Sequence, residues 1–360
     1  MTAFISIEGL RHFYEGRQVL DIDSLAIGEG EILAVVGPNG SGKSTLLRII
    51  NLLEKPSSAE ITYWNGKKLT GLDRGERKEL AGQMAMIFQE PILFKRSVKA
   101  NISYGLKIRG VARHEVDRRA SQMLERLDMS DFASREALTL SGGEAQKVTL
   151  GRAMVLEPRL LLMDEPLASL DTPTRKLVRR DIARLVKDMG VTAVYVSHDY
   201  QEVLEIADKL AIIFAGKVLQ VGKPSEVFSR PASDVVAEFL GAENLLDGEV
   251  ADCTEGLARV RIQGVELQAP CEMPAGSTVK VLIHPEDILI MMDGPEKSSA
   301  RNSLPAQITG VSIIGALAKI GLDCGFPLIA YVTLASSEEL MLEAGKKITA
   351  VIKATSIHVM

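Results

Sequence analysis

Hydrophobic residues in the first two thirds of the chain recur in short runs that alternate with longer stretches of helical spacing. The apolar runs at 31–36, 160–163 and 192–196 have the length of a strand and predict buried β-strands. The stretches Lys43–Leu53 and Arg175–Met189 mix polar and apolar residues and predict helices, the second of which ends at Gly190. This alternation is typical of an α/β fold.

A helical stretch interrupts the alternation. Residues 98–135 are rich in charge, and their apolar residues recur at helical spacing, which predicts one face that packs into a core. The residues of that face are Val116, Ala120, Leu124 and Leu127. Further on, the runs 210–214 and 217–221 flank Ala215-Gly216 and predict a hairpin. We therefore expect a domain at 1–240 with a helical subdomain at about 90–157.

The pattern changes after about residue 240, where helical periodicity largely disappears. Short β-rich segments follow, separated by glycine, proline, aspartate and serine, and they predict a small β-barrel domain over 241–360. The segments are 257–262, 279–283, 306–311, 317–322, 329–332 and 347–352. Residues 293–304 are predicted to form a polar connector within this domain.

Composition and charge narrow the function. The net charge of −5 over 360 residues, with acids and bases interspersed, argues against a nucleic-acid-binding protein. The three cysteines, Cys253, Cys271 and Cys324, are far apart in sequence and predict reduced thiols rather than a metal site. Neither a signal peptide nor an apolar stretch of about 20 residues is present, so we expect a chain that reaches a membrane only by docking to another protein.

A glycine-rich segment follows the strand at 31–36 directly. It fits the pattern G-x-x-x-x-G-K-[ST] in the strand–loop–helix context that such a loop needs. Glycine lets backbone N–H groups approach phosphate oxygens, Lys43 supplies positive charge to the β- and γ-phosphates, and the Ser44 hydroxyl is a Mg²⁺ ligand. The predicted phosphate site consists of Gly37, Pro38, Asn39, Gly40, Ser41, Gly42, Lys43, Ser44 and Thr45.

Polar residues follow three of the predicted strands. Asp164 ends the strand at 160–163 and is predicted to hold Mg²⁺, whereas Glu165 is predicted to orient or deprotonate a water in line with the γ-phosphate. Gln89, after a strand at 84–88, offers an amide to metal and water. His198, after the strand at 192–196, offers a hydrogen bond to the γ-phosphate. Gln89 and His198 support a nucleotide site only as members of this set, because either residue alone would be unremarkable after a strand.

One more motif, Leu140-Ser141-Gly142-Gly143-Glu144, lies between the phosphate loop and the two carboxylates. With it, the ordered set resembles the ATP-binding subunit of an ABC transporter over roughly residues 3–240. The motifs that carry the resemblance are Tyr14, the phosphate loop, Gln89, Leu140–Glu144, Asp164-Glu165, Ala168-Ser169-Leu170-Asp171 and His198.

This resemblance implies an ABC-type P-loop ATPase that binds ATP and Mg²⁺ and acts as a homodimer. The expected partners are integral membrane permease subunits and, indirectly, a substrate-binding protein, at the cytoplasmic face of the inner or plasma membrane. It also implies residue roles. The expected catalytic residues are Lys43, Glu165 and His198, and the expected metal ligands are Ser44, Gln89 and Asp164. Tyr14 is expected to stack on adenine and Asp171 to lie at the dimer junction. The residues expected to complete the ATP site of the other protomer are Ser141, Gly142, Gly143 and Glu144.

Two residues depart from the commonest form of the family motif. Glu144 stands where glutamine is usual, and its negative charge near a helix start is favoured by the helix dipole. Lys147 stands where arginine is usual and cannot reproduce a bidentate contact. Neither departure removes a catalytic group.

The tail carries the information about cargo. Residues of about 299–360 resemble the small Mop-like β-barrel modules of molybdate-binding proteins and of molybdate/tungstate importer ATPases. The resemblance implies an OB- or Mop-like regulatory domain in which Arg301, Asn302, Ser336 and Lys353 lie near an oxyanion site. Some members carry a lysine where Ile314 stands, which argues against anion binding here.

Three alternatives stay open. The chain could be an importer ATPase for sulfate, sugar or polyamine with an inert tail that only stabilises the dimer. It could be a soluble ABC ATPase outside transport, although it lacks the long coiled coils or tandem halves of such proteins. The tail could also be an oxyanion store or sensor, with transport secondary.

Overall fold

The computed structural model describes residues 3–292, 294 and 298–360. The chain divides into two compact units, Met1–Val227 and Phe228–Met360, so that the division precedes the boundary expected at 240. Of the predicted connector at 293–304, residues 293 and 295–297 lie outside the described residues, and a strand begins at Asn302.

The first unit mixes strands and helices. Its strands are β1 (Ile5–Tyr14), β2 (Arg17–Ile27), β3 (Ile32–Val36), β4 (Ser58–Thr62), β5 (Met84–Ile87), β6 (Leu160–Asp164), β7 (Thr192–Val196), β8 (Lys209–Phe214) and β9 (Lys217–Gly222). Its helices are α1 (Lys43–Ile50), α2 (Arg74–Ala81), α3 (Val98–Ile102), α4 (Tyr104–Ile108), α5 (Arg113–Arg126), α6 (Gly142–Met154), α7 (Thr172–Asp188), α8 (Tyr200–Ile206) and α9 (Pro224–Ser229), which crosses the division between the units.

A six-stranded sheet in the order β5-β6-β7-β3-β8-β9 forms the centre of this unit. Its strands are parallel except for the β8–β9 hairpin. All residues of β3 and β7 are buried, as expected for strands of a parallel sheet covered on both faces. The carboxyl ends of β3, β5, β6 and β7 therefore meet at one edge, and the loops that leave this edge carry the predicted site residues. A second, antiparallel sheet has the order β2-β1-β4.

The predicted helical region is divided into α3, α4 and α5, with a short 3₁₀ turn at Ser130–Phe132. The apolar face of α5 is buried as predicted, with Val116, Ala120, Leu124 and the following Leu127 inside one hydrophobic cluster. Two predicted helix boundaries were wrong, the end of α1 and the start of α7. Helix α1 ends at Ile50 rather than Leu53, and Leu52 beyond it has a positive φ of 60°. Helix α7 begins at Thr172, because Asp171 caps it and the first turn accepts Pro173.

The second unit is almost entirely β-structure. It contains α10 (Asp234–Phe239), β10 (Leu245–Thr254), β11 (Leu257–Ile262), β12 (Val265–Pro270), β13 (Thr278–Ile283), β14 (Ile288–Met291), β15 (Asn302–Ile314), β16 (Leu317–Asp323), β17 (Pro327–Thr333), α11 (Leu334–Glu339), β18 (Lys347–Ile352) and β19 (Ile357–Val359). Two curled antiparallel sheets, each a half-barrel, enclose one hydrophobic cluster and confirm the predicted barrel-like tail.

The two sheets of this unit have the same internal topology. Their orders, β12-β11-β10-β13-β19 and β17-β16-β15-β18-β14, coincide when β10–β13 are matched with β15–β18. Each half gives its last strand to the other sheet, since β14 pairs with β18 and β19 pairs with β13. The unit is thus an internal duplication whose halves exchange a strand and share one core.

Asparagine side chains reinforce this exchange at equivalent positions. The Asn302 amide donates to the Gln268 carbonyl over 2.9 Å and accepts from the Gln268 N–H over 2.7 Å. Asn244, before β10, makes the matching pair with the backbone of Ile329 over 2.8 and 2.6 Å. Each asparagine therefore extends a ladder of the opposite half, in the manner of a backbone unit.

Candidate functional site

The phosphate loop connects the end of β3 to the start of α1. Gly42 at the start of the helix has a φ of 99°, a conformation that favours glycine. A Cβ at Gly37 would overlap the carbonyl of Ile213, so this position also requires glycine. The loop can thus keep backbone N–H groups close to a phosphate, as its sequence predicts.

Lys43 lies under this loop. Its ammonium donates to the carbonyls of Gly37 and Pro38 over 2.8 and 2.9 Å. Burial lowers the pKa of Lys43, while Glu165 and Asp164 act in the opposite direction. A partly desolvated cation of this kind gains by meeting phosphate oxygens.

Ser41 gives a test of whether the loop fits a phosphate group. Its side chain is only 3% exposed, and its Oγ has no hydrogen-bond partner among the described residues. Buried hydroxyls normally have a partner, so this atom fits a ligand oxygen in the loop. The site residues therefore suit the predicted nucleotide.

Asp164 and Ser44 lie together at the end of β6. The Ser44 hydroxyl donates to Asp164 Oδ1 over 3.0 Å. Burial, helped by the neighbouring charge of Glu165, raises the pKa of Asp164. A hydroxyl and a carboxylate in contact are oxygen ligands of the type that Mg²⁺ takes, and a bound cation would offset the cost of the partly desolvated carboxylate.

Glu165 and His198 form a pair beside this group. Glu165 Oε2 lies 3.3 Å from His198 Nδ1, and Glu165 is held at a positive φ of 46° while its N–H donates to the Val196 carbonyl over 3.1 Å. The Glu165 side chain is 18% exposed and that of His198 is 58% exposed. Sequence reasoning gave each residue a separate role, whereas the structure places them in contact.

Gln89 and Tyr14 lie at the margins of this edge. Ile87 pairs with Met163 in the parallel sheet. Gln89, which is exposed, and Glu165 each lie two residues beyond this pair, at the same edge of the sheet. Tyr14 packs edge-on against His12, with 4.8 Å between ring centroids. It lines a cavity of about 490 Å³ with Gln18, Gly40 and Ala215, next to the phosphate loop. The position suits the predicted stacking of Tyr14 on a base.

Ser141 is the N-cap of α6, so the predicted helix start is present. Its hydroxyl accepts from the Glu144 N–H over 3.4 Å, and the Glu144 carboxylate accepts from the Ser141 N–H over 2.8 Å. The hydrogen bond from the Ser141 N–H holds the pKa of Glu144 below its usual range. Glu144 therefore closes a capping box, a more specific role than the dipole contact expected from the sequence.

The remaining signature residues fix how α6 packs. A Cβ at Gly143 would overlap the Thr174 methyl group on α7, so glycine allows the two helices to approach closely. Lys147 Nζ lies 2.7 Å from Asp181 Oδ2, while Arg184 donates to the other oxygen of Asp181 over 3.0 Å. Two cations on α6 and α7 thus share one carboxylate, and this arrangement does not require a bidentate arginine at 147.

Asp171 caps α7 by accepting from the N–H and hydroxyl of Thr174 over 3.0 and 2.9 Å, and the N–H bond lowers its pKa. Among the described residues, no hydrogen bond or ion pair joins Ser141–Glu144 to Gly37–Thr45. One chain therefore brings together Lys43, Ser44, Asp164, Glu165 and His198, and it leaves the signature apart from them.

The predicted oxyanion residues do not converge within one tail. Asn302 pairs with Ile352 in the β15–β18 ladder, so Arg301, Asn302 and Lys353 lie at one end of β15. Ser336 contacts Thr333 over 2.8 Å near the opposite end, since Thr333 pairs with Leu317, which pairs with Ile314. The 13-residue strand between these ends spans about 40 Å. The amide of Asn302 is already bonded to Gln268.

Comparison with known proteins decides the family. The ABC transporter family model matches residues 20–168, and the TOBE domain model matches residues 298–359. The chain is 38% identical over 358 residues to the molybdate/tungstate import ATP-binding protein of Pyrococcus horikoshii, covering 99% of each chain. The chain belongs to the ABC transporter family.

Other import subunits are similar to this ABC ATPase. The sulfate/thiosulfate import ATP-binding protein of Thermosynechococcus vestitus is 34% identical, over 96% of this chain and 95% of its own. The sn-glycerol-3-phosphate import ATP-binding protein of Rhizobium meliloti is 36% identical, over 93% and 91%. A solved structure of cbiO1 from Clostridium perfringens, part of the ABC transporter complex cbiONQ, has a TM-score of 0.60 and 29% identity and covers 63% of this chain and 91% of its own. The chain is thus an importer-type ABC ATPase, and the non-transport alternative has no support from these relatives.

The family resemblance implies that the segment after Gln89, residues 90–97, connects the site to a permease, and the structure adds a groove along this segment that the sequence did not show. A groove of about 300 Å³ behind Gln89 is lined mainly by apolar groups, including Phe88, Ile92, Phe94 and Tyr104. Arg152 lies over the Phe94 ring, 5.5 Å from its centroid. The aromatic residues after β5 were the available signal. In the described part of the chain, every helix is too short or too polar to cross a bilayer.

Proposed function

We propose that the protein is the ATPase subunit of a molybdate or tungstate importer. In this proposal two copies form a head-to-tail homodimer and enclose two ATP molecules between them. The observation that carries the proposal is the division of the site: one chain assembles the phosphate loop and acidic residues, while no hydrogen bond or ion pair among the described residues joins this group to the signature helix start. A second copy in a symmetric dimer supplies the missing half of each site.

Within each site the residues have distinct roles. Lys43 and the phosphate loop bind the phosphates, and His198 donates to the γ-phosphate once it is positioned by Glu165. Glu165 orients the attacking water and accepts its proton. Ser44, Asp164 and Gln89 would hold Mg²⁺, which would neutralise charge at the phosphates.

The groove behind Gln89 suits a helix of a permease subunit. Phe88, Ile92 and Phe94 are large exposed apolar residues, and such a cluster on a protein surface is typical of a docking site. The segment 90–97 runs from Gln89 into this groove, so a change at the nucleotide reaches the permease through it. By this route the ATPase acts at the cytoplasmic face of a membrane.

The substrate is inferred from relatives and from the tail. The molybdate/tungstate subunit of Pyrococcus horikoshii matches over 99% of the chain, but sulfate and sn-glycerol-3-phosphate subunits match at similar identity. All of these substrates are oxyanions, which favours an anion over a sugar or polyamine. The TOBE match and the clustering of Arg301 with Lys353 favour an anion-responsive tail.

We propose that such an anion bridges two tails, because the Arg301–Lys353 end of one tail and the Ser336 end of another can then meet. One observation favours the inert-tail alternative. Beyond Ile308, β15 is paired with β16 alone among the described strands, and Val311, Ile313 and Ile314 are exposed there, the last by 53%. An apolar strand edge suits tail-to-tail packing without any anion.

Two experiments test the proposal. Glu165→Gln is expected to retain ATP binding, nearly abolish turnover and accumulate an ATP-bound dimer in size-exclusion chromatography; normal turnover would remove Glu165 from its role. For the substrate, cells that depend on this chain are expected to take up labelled molybdate and tungstate, and uptake of sulfate alone would reject the assignment.

The tail is tested separately on the full-length protein. Calorimetry with molybdate, tungstate and sulfate is expected to show binding that Lys353→Gln weakens by about tenfold, as for loss of one charge-assisted contact. Lys347→Gln, at the other end of β18, is the matched control. Silence with all three anions supports the inert tail and leaves the ATPase assignment intact.

A further inference from the structure

We propose that Arg175 is a positioning residue that connects the dimer-junction turn at Asp171 to the histidine loop at His198. The inference rests on the proposed homodimer, because it assigns Asp171 to a contact with the second copy. It adds a residue that lies outside every motif recognised in the sequence.

The Arg175 guanidinium, on the first turn of α7, reaches three groups. It donates to the carbonyl of Leu170, the residue before Asp171, over 2.8 Å. It donates to Asp199 Oδ2, next to His198, over 3.3 Å. Its Nε lies 3.9 Å from Glu202 Oε1. One side chain thus links the turn that enters α7 with the loop that enters α8.

Both neighbours of His198 are fixed, while His198 itself is not. The Asp199 N–H donates to Ser197 Oγ over 3.0 Å, and the Ser197 hydroxyl donates to Glu202 over 2.6 Å. Asp199 also caps α8 through the N–H groups of Gln201 and Glu202. The imidazole, by contrast, is largely exposed and touches Glu165. The flanking residues therefore hold the backbone from which the imidazole extends towards Glu165.

The negative charge of the buried Glu202 carboxylate is stabilised by a nearby cation, which Arg175 supplies. Glu202 is only 4% exposed and accepts hydrogen bonds from the hydroxyls of Tyr195 and Ser197. A buried carboxylate without a nearby cation is costly. Arg179, one turn further along α7, forms its ion pair with Glu205 over 2.6 Å. Among the described residues, Arg175 is the α7 cation that lies within 4 Å of a Glu202 oxygen.

The network has capacity for a second arrangement. Arg175 Nε is buried and makes no hydrogen bond among the described residues, although Glu202 lies just beyond bonding distance. A shift of the Leu170–Asp171 turn on contact with a second copy would move the guanidinium and complete this bond. Because Arg175 also holds Asp199, the same shift would move the His198 loop. An added hydrogen bond is the differential contact that such a two-state change requires.

The test compares Arg175→Lys with Arg179→Lys in the full-length ATPase. Lysine keeps the charge at 175 but lacks the planar fork whose separate nitrogens face Leu170, Asp199 and Glu202. Arg175→Lys is expected to lower kcat about tenfold, leave the KM for ATP within about twofold and reduce the Hill coefficient for ATP, as expected for lost positioning rather than lost binding. Arg179→Lys, on the same helix and more buried, is expected to keep kcat and cooperativity near the wild-type values.

A double mutant separates positioning from general damage. If Arg175 acts through His198, Arg175→Lys should add little to the loss already caused by His198→Ala. If the losses of kcat from Arg175→Lys and His198→Ala multiply in the double variant, or if Arg179→Lys has the same effect as Arg175→Lys, the proposal is overturned. Should Arg175→Lys fail to fold, Asp199→Asn keeps the helix cap but weakens the pair with Arg175. It should show the same fall in kcat, and wild-type kinetics would reject the connection.

These outcomes are distinct from failure of the proposed function. If His198→Ala hydrolyses ATP normally, the role of His198 is wrong, whatever Arg175 does. If the protein hydrolyses ATP without cooperativity and never dimerises, the homodimer itself is wrong. A fully cooperative Arg175→Lys enzyme, with His198→Ala impaired, counts against Arg175 and leaves the proposed function intact.

Discussion

The half-buried Asp164 sets how the nucleotide site responds to pH. Burial raises its pKa above the ordinary value of 3.8, so protons compete for this carboxylate at a higher pH than at an exposed aspartate. Because Mg²⁺ requires the ionised form, acidification towards the raised pKa should weaken Mg²⁺-dependent ATP binding, and binding should release a proton there.

This effect can be measured by titrating Mg²⁺ into protein loaded with a fluorescent ATP analogue as the pH is lowered from 7, with Asp164→Asn as the control. The Mg²⁺ affinity is expected to fall more steeply with acidification in the wild type than in Asp164→Asn, which has no carboxyl group to protonate. The same pH dependence in both proteins would contradict the assignment of Asp164 as a ligand.

Asn302 is predicted to stabilise the tail rather than to bind an anion. Asn302→Ala leaves the Gln268 N–H and carbonyl without partners and should cost about 1–3 kcal/mol in the unfolding free energy of the tail. Asn244→Ala, at the equivalent position, should have a similar cost. Denaturant unfolding of the full chain checks both, and a loss of anion affinity without loss of stability would refute this role.

Residue types were a better guide to the ATP site than to the tail. Lys43, Ser44, Asp164 and Glu165 could be placed from the sequence, because parallel strands bring their carboxyl ends to one edge. The role of Asn302 could not, because its partner is a backbone group 34 residues away in another strand. Sequence patterns describe side chains, and they carry little information on side-chain contacts with a distant backbone.

At the scale of elements, the contact between α6 and α7 orients the signature. Gly143→Ala would place a methyl group against the Thr174 methyl group and push the helices apart. Overpacking of this kind costs about 1–3 kcal/mol, and a displaced signature should lower kcat more than ATP binding. Melting temperature and steady-state ATPase activity measure the two effects.

Thr174→Ser provides the matched control for this contact. Serine lacks the methyl group but keeps the hydroxyl that donates to Asp171. The double variant Gly143→Ala/Thr174→Ser should therefore recover most of the stability and activity. If it is as impaired as Gly143→Ala alone, steric overlap with α7 is not the reason for glycine at 143.

Elements with a strong pattern were predicted and others were missed. The runs at 160–163 and 192–196 and the hairpin at 210–221 agree with β6, β7 and β8–β9. Strands β2 and β4 were missed, because the alternation in β2 is interrupted at Asp23-Ser24 and β4 is short with a single buried residue. Such strands depend on pairing with β1, a tertiary effect that local periodicity does not record.

At the scale of the whole molecule, the tail is a duplicated module with exchanged strands. The equivalent segments 279–291 and 348–360 share identical residues only at Ile283/Ile352, Ile288/Ile357 and Met291/Met360, so the sequence hardly shows the repeat. Strand order shows it, because topology persists where side chains have diverged.

The central claim is that each ATP site is built from two copies of the chain. Lys43→Ala breaks the phosphate loop, Ser141→Arg breaks the signature, and either homodimer should be nearly inactive. In a mixed dimer, the loop of the Ser141→Arg copy meets the intact signature of the Lys43→Ala copy and forms one complete site. The most direct test is therefore the ATPase activity of the two variants co-expressed with different tags and purified together.

With random mixing, about half of the dimers contain one copy of each variant, and each of these has one of its two sites intact. The unselected mixture should therefore recover about a quarter of wild-type activity if the sites act independently. Selecting on both tags should raise this to about a half. Activity that stays at the level of the separate variants, in dimers shown to contain both tags, would contradict the shared site.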